Sequence, residues 1–90
     1  MKAEVLLYLL VITIKQITIM IKQLIQEIIK AGNKAIDSVP VKYTVKTKVE
    51  NYRVYNGIYY DDNHIEFVDD YDDNITLAYE DIVGIRISDI

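Results

Sequence analysis

From residue 5 to residue 29 the chain runs without a Pro or a Gly, and 17 of those 25 residues are apolar. Stepping 100° per residue from Lys15 places Lys15, Gln16, Lys22, Gln23, Gln26, Glu27 and Lys30 in one arc, broken only by Ile19. Ile14, Ile17, Met20, Ile21, Leu24, Ile25, Ile28 and Ile29 fill the opposite half. That contrast at a helical period predicts an amphipathic helix over residues 14–30. Gly32-Asn33 reads as its stop, with Lys30 in the last turn. Upstream, Val5, Tyr8, Leu9 and Ile12 occupy the arc that is polar further on. Residues 5–13 are therefore apolar on every side and call for burial on every side.

Residues 32–40 read as a connector, because Pro40 cannot continue a helix. From Val41 the period falls to two. Val41, Tyr43, Val45, Thr47 and Val49 alternate with Lys42, Thr44, Lys46 and Lys48, which predicts a half-buried strand with a wet, basic face. The phase flips at Glu50-Asn51, predicting a turn or bulge. A strand continues over 52–55, and Asn56-Gly57 is the dipeptide of a two-residue hairpin, since both residues tolerate positive φ. Further strands are expected at 58–60, 64–68, 75–79 and 82–88, separated by Asp- and Asn-rich turns. The fold class is α+β: a helix over residues 1–31, then five or six short antiparallel strands in residues 41–90. A sheet so small keeps its apolar side dry by curling into a barrel or by packing on a helix.

Composition narrows the chemistry. The chain has 90 residues, 51% apolar and 27% charged, which is the make-up of one small folded domain. It contains no cysteine, so disulfides, thiolate metal sites and cysteine nucleophiles are excluded. The net charge of −4 is unevenly distributed. Residues 1–54 hold nine Lys and Arg against four acids, a net of +5, whereas residues 55–90 hold Arg86 against ten acids, a net of −9. An acidic half of this density disfavours phosphate backbones and steers cationic partners.

The apolar surface of residues 5–29 has three ways to leave water. It can join copies of itself in a bundle, lie in a membrane surface, or pack on the chain's own β domain. A full crossing is geometrically open, since 25 residues of helix reach ~37 Å. It would place Lys15 and Lys22 near mid-bilayer at about 2.5–3.5 kcal/mol each. That disfavours a span and leaves shallow insertion as the membrane alternative. Lys2 followed by residues 5–14 has the look of a secretory leader, but Thr13, Lys15 and Gln16 stand where the small residues of a cleavage site belong. The expected setting is cytoplasmic.

The closing run ITLAYEDIVGIRI (75–87), preceded by NGIYYDDNHIEFV (56–68), resembles the last strands of Sm-like and SH3-like small barrels. In those a strand is followed by a one-turn kink and a final apolar strand. The resemblance covers residues 41–88. It implies a small barrel, with RNA as the partner in Sm-like members and peptides in SH3-like ones. The loops at 61–63 and 69–74 are acidic where an RNA-binding member would carry basic or aromatic-basic ones, and fold alone does not carry function.

Few residues suggest site chemistry. Asp70, Asp72 and Asn74 have the spacing that opens a calcium loop, but Ile75 stands where the sharp turn needs Gly. His64 is the only histidine and has no nucleophile motif beside it. No catalytic, cofactor or metal residue is assigned. The Lys42, Lys46, Lys48 and Arg53 stripe is a thin footprint for nucleic acid. The expected reading is a non-enzymatic interaction protein that associates with itself through Ile14, Ile17, Ile21, Leu24, Ile25 and Ile28. It would offer an unidentified protein an acidic, tyrosine-bearing face: Asp61, Asp62, Asp69, Asp70, Asp72 and Asp73 with Tyr59 and Tyr71. A sharper form has that face mimic nucleic acid and block a nucleic-acid-handling enzyme, as inhibitors from phages and mobile elements do. The alternatives are a peripheral membrane protein anchored by residues 5–29 and an Sm-like RNA binder.

Overall fold

A computed structural model describes the chain from Lys2 to Asp89, with side chains from Gln16 to Ser88. The first element, α1, spans Lys2–Ile36. Six strands follow: β1 (Val41–Thr47), β2 (Asn51–Val54), β3 (Tyr59–Tyr60), β4 (His64–Val68), β5 (Asn74–Ala78) and β6 (Ile82–Asp89). A single 3-10 turn, Tyr79–Asp81, separates the last two. The architecture is α+β, with two three-stranded antiparallel sheets ordered β2-β1-β6 and β3-β4-β5.

The helix does not stop at Gly32-Asn33. It runs on to Ile36 and ends in a turn where the N–H groups of Ser38 and Val39 both donate to the Ala35 carbonyl, just ahead of Pro40. Glycine inside a helix costs about 1 kcal/mol relative to alanine. Here the cost is offset by close approach. Gly32 is buried, and a Cβ built on it would fall on the Tyr43 ring and hydroxyl. Asn33, which tends to leave helices because its amide competes for backbone partners, uses that amide on the β domain instead. It donates through Nδ2 to the Ile58 carbonyl (2.8 Å) and accepts from the Ile58 N–H through Oδ1 (3.0 Å).

The second predicted turn is also corrected. Asn56-Gly57 makes no hairpin, because β2 pairs with β1 and β3 with β4, so the dipeptide is a corner between sheets. No glycine in the described chain has positive φ, and only Asp72 does so among other residues (φ 63°). Gly57 is small for another reason: a Cβ there would sit 3.2 Å from Asn33 Oδ1.

β1 follows its alternation, with Val41, Tyr43 and Val45 buried. It ends at Thr47, so Val49 lies in a turn and is 90% exposed. The Thr47 hydroxyl closes that turn, accepting from the Glu50 N–H (3.1 Å) and donating to the Glu50 carbonyl (2.9 Å). The core joins Tyr43, Val45, Val54, Ile58, Ile65, Phe67 and Ile82 of the β domain to Ile25 and Ile29 of α1. Tyr52 and Phe67 meet edge to face at 5.6 Å, locking one sheet to the other. The helix is therefore one wall of the core, and its burial supplies energy that 50 residues of sheet would otherwise lack.

Candidate interaction surface

Which side of α1 meets the sheets decides what remains open. Lys22, Ile25, Gln26, Ile29, Gly32, Asn33 and Ile36 recur at three- and four-residue spacing and form the docked face. Ile25 and Ile29 enter the core. Gln26 Nε2 donates to the Asp61 carbonyl (3.3 Å) and to the Tyr79 hydroxyl (3.1 Å). The Tyr79 hydroxyl in turn donates to the Asp61 carbonyl (2.5 Å). Lys22 lies 4.0 Å from the Asp62 carboxylate and 5.8 Å above the Tyr79 ring. Burial raises the Tyr79 phenol above its ordinary pKa, while donation from Gln26 pulls the other way. The docked face thus straddles the border between the apolar half and the polar arc.

The middle of the apolar half is left outside. Ile17 (50%), Met20 (66%), Ile21 (50%) and Leu24 (61%) are exposed, and Ile28 is half-buried. These side chains form one continuous strip about a quarter-turn or more round the helix from the docked face. A shallow groove continues it sideways, between Ile21, Leu24 and Ile28 on α1 and Ile82, Val83 and Ile85 on β6. β6 borders β1 on one edge only, and Val83 is 58% exposed. Of the six helix residues expected to meet a partner, Ile17, Ile21 and Leu24 are on the strip and Ile28 is at its border. Ile25 belongs to the chain's own core, and the side chain of Ile14 lies outside the described residues.

The expected acidic face falls into two parts, at opposite ends of β4. Asp61 and Asp62 belong to the turn before β4, Asp69–Asp73 to the turn after it. Asp61 Oδ1 accepts from the N–H groups of Asn63 (2.8 Å) and His64 (2.9 Å), which hold its carboxyl below the usual range. Asp69, the one buried acid among the described residues, accepts through Oδ1 from the N–H groups of Tyr71 and Asp73, both at 2.9 Å. These two carboxylates close turns. Asp62, Asp70, Asp72 and Asp73 point to solvent, as do Tyr59 (57% exposed) and Tyr71 (81%).

His64 stands between Asp61 (Nδ1 to Oδ1, 3.4 Å) and Glu66 (Nε2 to Oε1, 3.0 Å) on the outer side of β4. Among the described residues, no three His, Asp or Glu side chains converge as a metal ion would require. None of the described residues forms a helix long and apolar enough to cross a membrane. No protein-family model, curated protein or solved structure matches the chain.

The docking residues Gly32, Asn33, Gly57 and Ile58 were not anticipated as a set. Their only signal in the sequence is the presence of two Gly/Asn dipeptides in a chain with three glycines.

Proposed function

We propose that this chain is a non-enzymatic protein–protein interaction module that associates with copies of itself through α1 and displays its β domain outward. The observation that supports this is the strip Ile17–Met20–Ile21–Leu24, four large apolar side chains at least half exposed and adjacent on one helix. Scattered exposed apolar residues are ordinary on a protein surface; a contiguous patch is the mark of an interaction site. The 3-10 turn before β6 supports reading the β domain as an SH3-like small barrel, with α1 completing its core. Its displayed surface is acidic and tyrosine-bearing, with Tyr59 beside Asp61 and Tyr71 flanked by Asp70 and Asp72, and it suits a cationic protein partner, including a nucleic-acid-handling enzyme.

Light scattering of the intact chain over a concentration series tests the self-association. A mass that rises to a multiple of 10.5 kDa supports it. A fixed monomer mass overturns it. A pull-down across a salt titration tests the displayed surface, since a partner held by charge is released as the Debye length shrinks. Capture insensitive to salt would exclude charge mimicry.

A further inference from the structure

The open strip has a repeat that the helical wheel alone conceals. Ile17, Ile21, Leu24 and Ile28 follow one another at spacings of four, three and four. The same count continues upstream through Ile14, Leu10 and Leu7 and downstream to Ala31. An apolar residue therefore stands at every first and fourth position of a heptad for three and a half heptads, which is the seam of paired helices. The barrel does not interrupt it, because the docked residues occupy other positions of the heptad.

Area says how much of the seam a partner must use. Ile17, Met20, Ile21 and Leu24 together expose on the order of 400 Å², the size of a patch that marks a binding site. A stable interface takes about 800 Å² from each partner, so the described strip supplies about half. The remainder has to come from the upstream heptad positions, and the pairing runs most of the length of α1.

Direction follows from charge and from the upstream composition. Pairing in parallel would bring two acidic halves of −9 to the same end. Pairing in opposite directions separates them and lays each beside residues 2–16 of the other copy's α1, where Lys2 and Lys15 stand against Glu4. Residues 5–13 are apolar all round, and a parallel pair would leave their outer faces in water. In the antiparallel register that sets position 21 opposite 17 and position 28 opposite 10, residues 5–13 run beside residues 25–33. That is the stretch of α1 docked on the β domain, and the groove between Ile21, Leu24 and Ile28 and the β6 residues Val83 and Ile85 lies open just ahead of it, opposite residues 10–17.

We infer that α1 pairs antiparallel with α1 of a second copy along the heptad strip, and that residues 10–17 of that copy occupy the groove between α1 and β6. This rests on the self-association proposed above and assigns its register and its second contact.

The chain has no cysteine, so a single introduced one can be labelled cleanly. Lys30 is exposed and off the seam. In the full-length Lys30→Cys protein, the inferred register sets position 30 opposite position 8. Two spin labels would then lie ~33 Å apart along the pair, 22 residues at 1.5 Å each. A parallel pair would hold them within about one interhelical spacing, ~10 Å, plus the label arms. A dominant separation above about 30 Å in a species of dimer mass supports the inference. A short separation in a dimer overturns the register and leaves self-association standing. A monomer, or a monomer that floats with vesicles of phosphatidylcholine and phosphatidylglycerol, overturns both.

Val83→Glu addresses the groove separately. Val83 is largely exposed within one copy, so the fold should tolerate the change while the dimer dissociation constant rises about tenfold or more. An unchanged constant overturns the groove contact.

Discussion

The side-chain amide of Asn33 is hydrogen-bonded to both backbone groups of Ile58, 25 residues away, at 2.8 and 3.0 Å. The pairing is that of a strand neighbour, supplied by a helix. Ile58 lies at the corner between the two sheets and is 2% exposed, so water cannot replace the amide. The Tyr43 hydroxyl completes the arrangement. Its single proton lies between Asn33 Oδ1 at 2.6 Å and the Ile29 carbonyl at 2.9 Å.

Asn33→Ala is therefore expected to cost about 2–4 kcal/mol, because it strands a buried N–H and a buried C=O together, each at about 1–3 kcal/mol. Urea denaturation of the purified variant measures this. Asn33→Asp tests the geometry further: one carboxylate oxygen can still accept, but the other faces the Ile58 carbonyl with no proton to offer. It should lose nearly as much at neutral pH. A loss below about 0.5 kcal/mol for either variant would mean that the amide does not hold the helix to the corner.

Gly32→Ala is a substitution whose sign separates local from tertiary control. In an isolated helix it stabilises by about 1 kcal/mol. Here the added methyl meets the Tyr43 hydroxyl and two of its ring carbons. The ring cannot withdraw, since Tyr43 is fully buried among core residues. A net loss of about 1–3 kcal/mol is expected from overpacking. A rise in Tm would show that α1 stands further from β1 than the structure places it.

Burial pushes the Tyr43 phenol up from 10.0 to about 12. The neutral form is thus favoured in the folded chain. The stability this contributes is complete below the unfolded value near 10 and is lost as pH rises from there through about 12. The urea midpoint of the intact protein should fall steeply over that alkaline window. Tyr43→Phe should start about 1 kcal/mol lower, having lost the hydroxyl's hydrogen bond, and then show a flatter decline. Equal slopes for the two proteins would remove Tyr43 as the titrating group.

The strands were legible in the sequence because their cause is local. Alternation at Val41, Tyr43 and Val45 requires only that one face be dry, and β4 falls at residues 64–68 as its pattern predicts. The two Gly/Asn dipeptides were misread for the opposite reason. Gly32-Asn33 has the composition of a helix stop, and Asn56-Gly57 that of a hairpin. Each is explained by the other: Asn33 binds Ile58, Gly57 leaves room for Asn33, and Gly32 leaves room for Tyr43. No window along the chain contains both partners, so periodicity and turn propensity could not reveal the contact. The exposed strip was half legible. The amphipathic pattern identified the apolar half of α1, but the β domain takes a face that includes Lys22, Gln26 and Asn33. A docked face made partly of polar residues leaves more of the apolar half outside than hydropathy suggests.

Leu24 and Ile25 are neighbours in sequence and 100° apart round the helix, and they give the sharpest contrast. Leu24 is 61% exposed on the strip, whereas Ile25 is 5% exposed in the core. Leu24→Lys places a cation where a single copy already meets solvent, so the folded chain should be nearly as stable as the parent, within about 0.5 kcal/mol. The same cation at the centre of a helix–helix seam would be desolvated without a partner, and the assembly should dissociate. Ile25→Lys puts the charge into the chain's own core, against Ile29 and Ile82, and should unfold the protein whatever its oligomeric state. Circular dichroism and light scattering on the two variants separate these effects. A folded, fully associated Leu24→Lys protein would remove the strip from the interface, and a folded Ile25→Lys protein would remove α1 from the core.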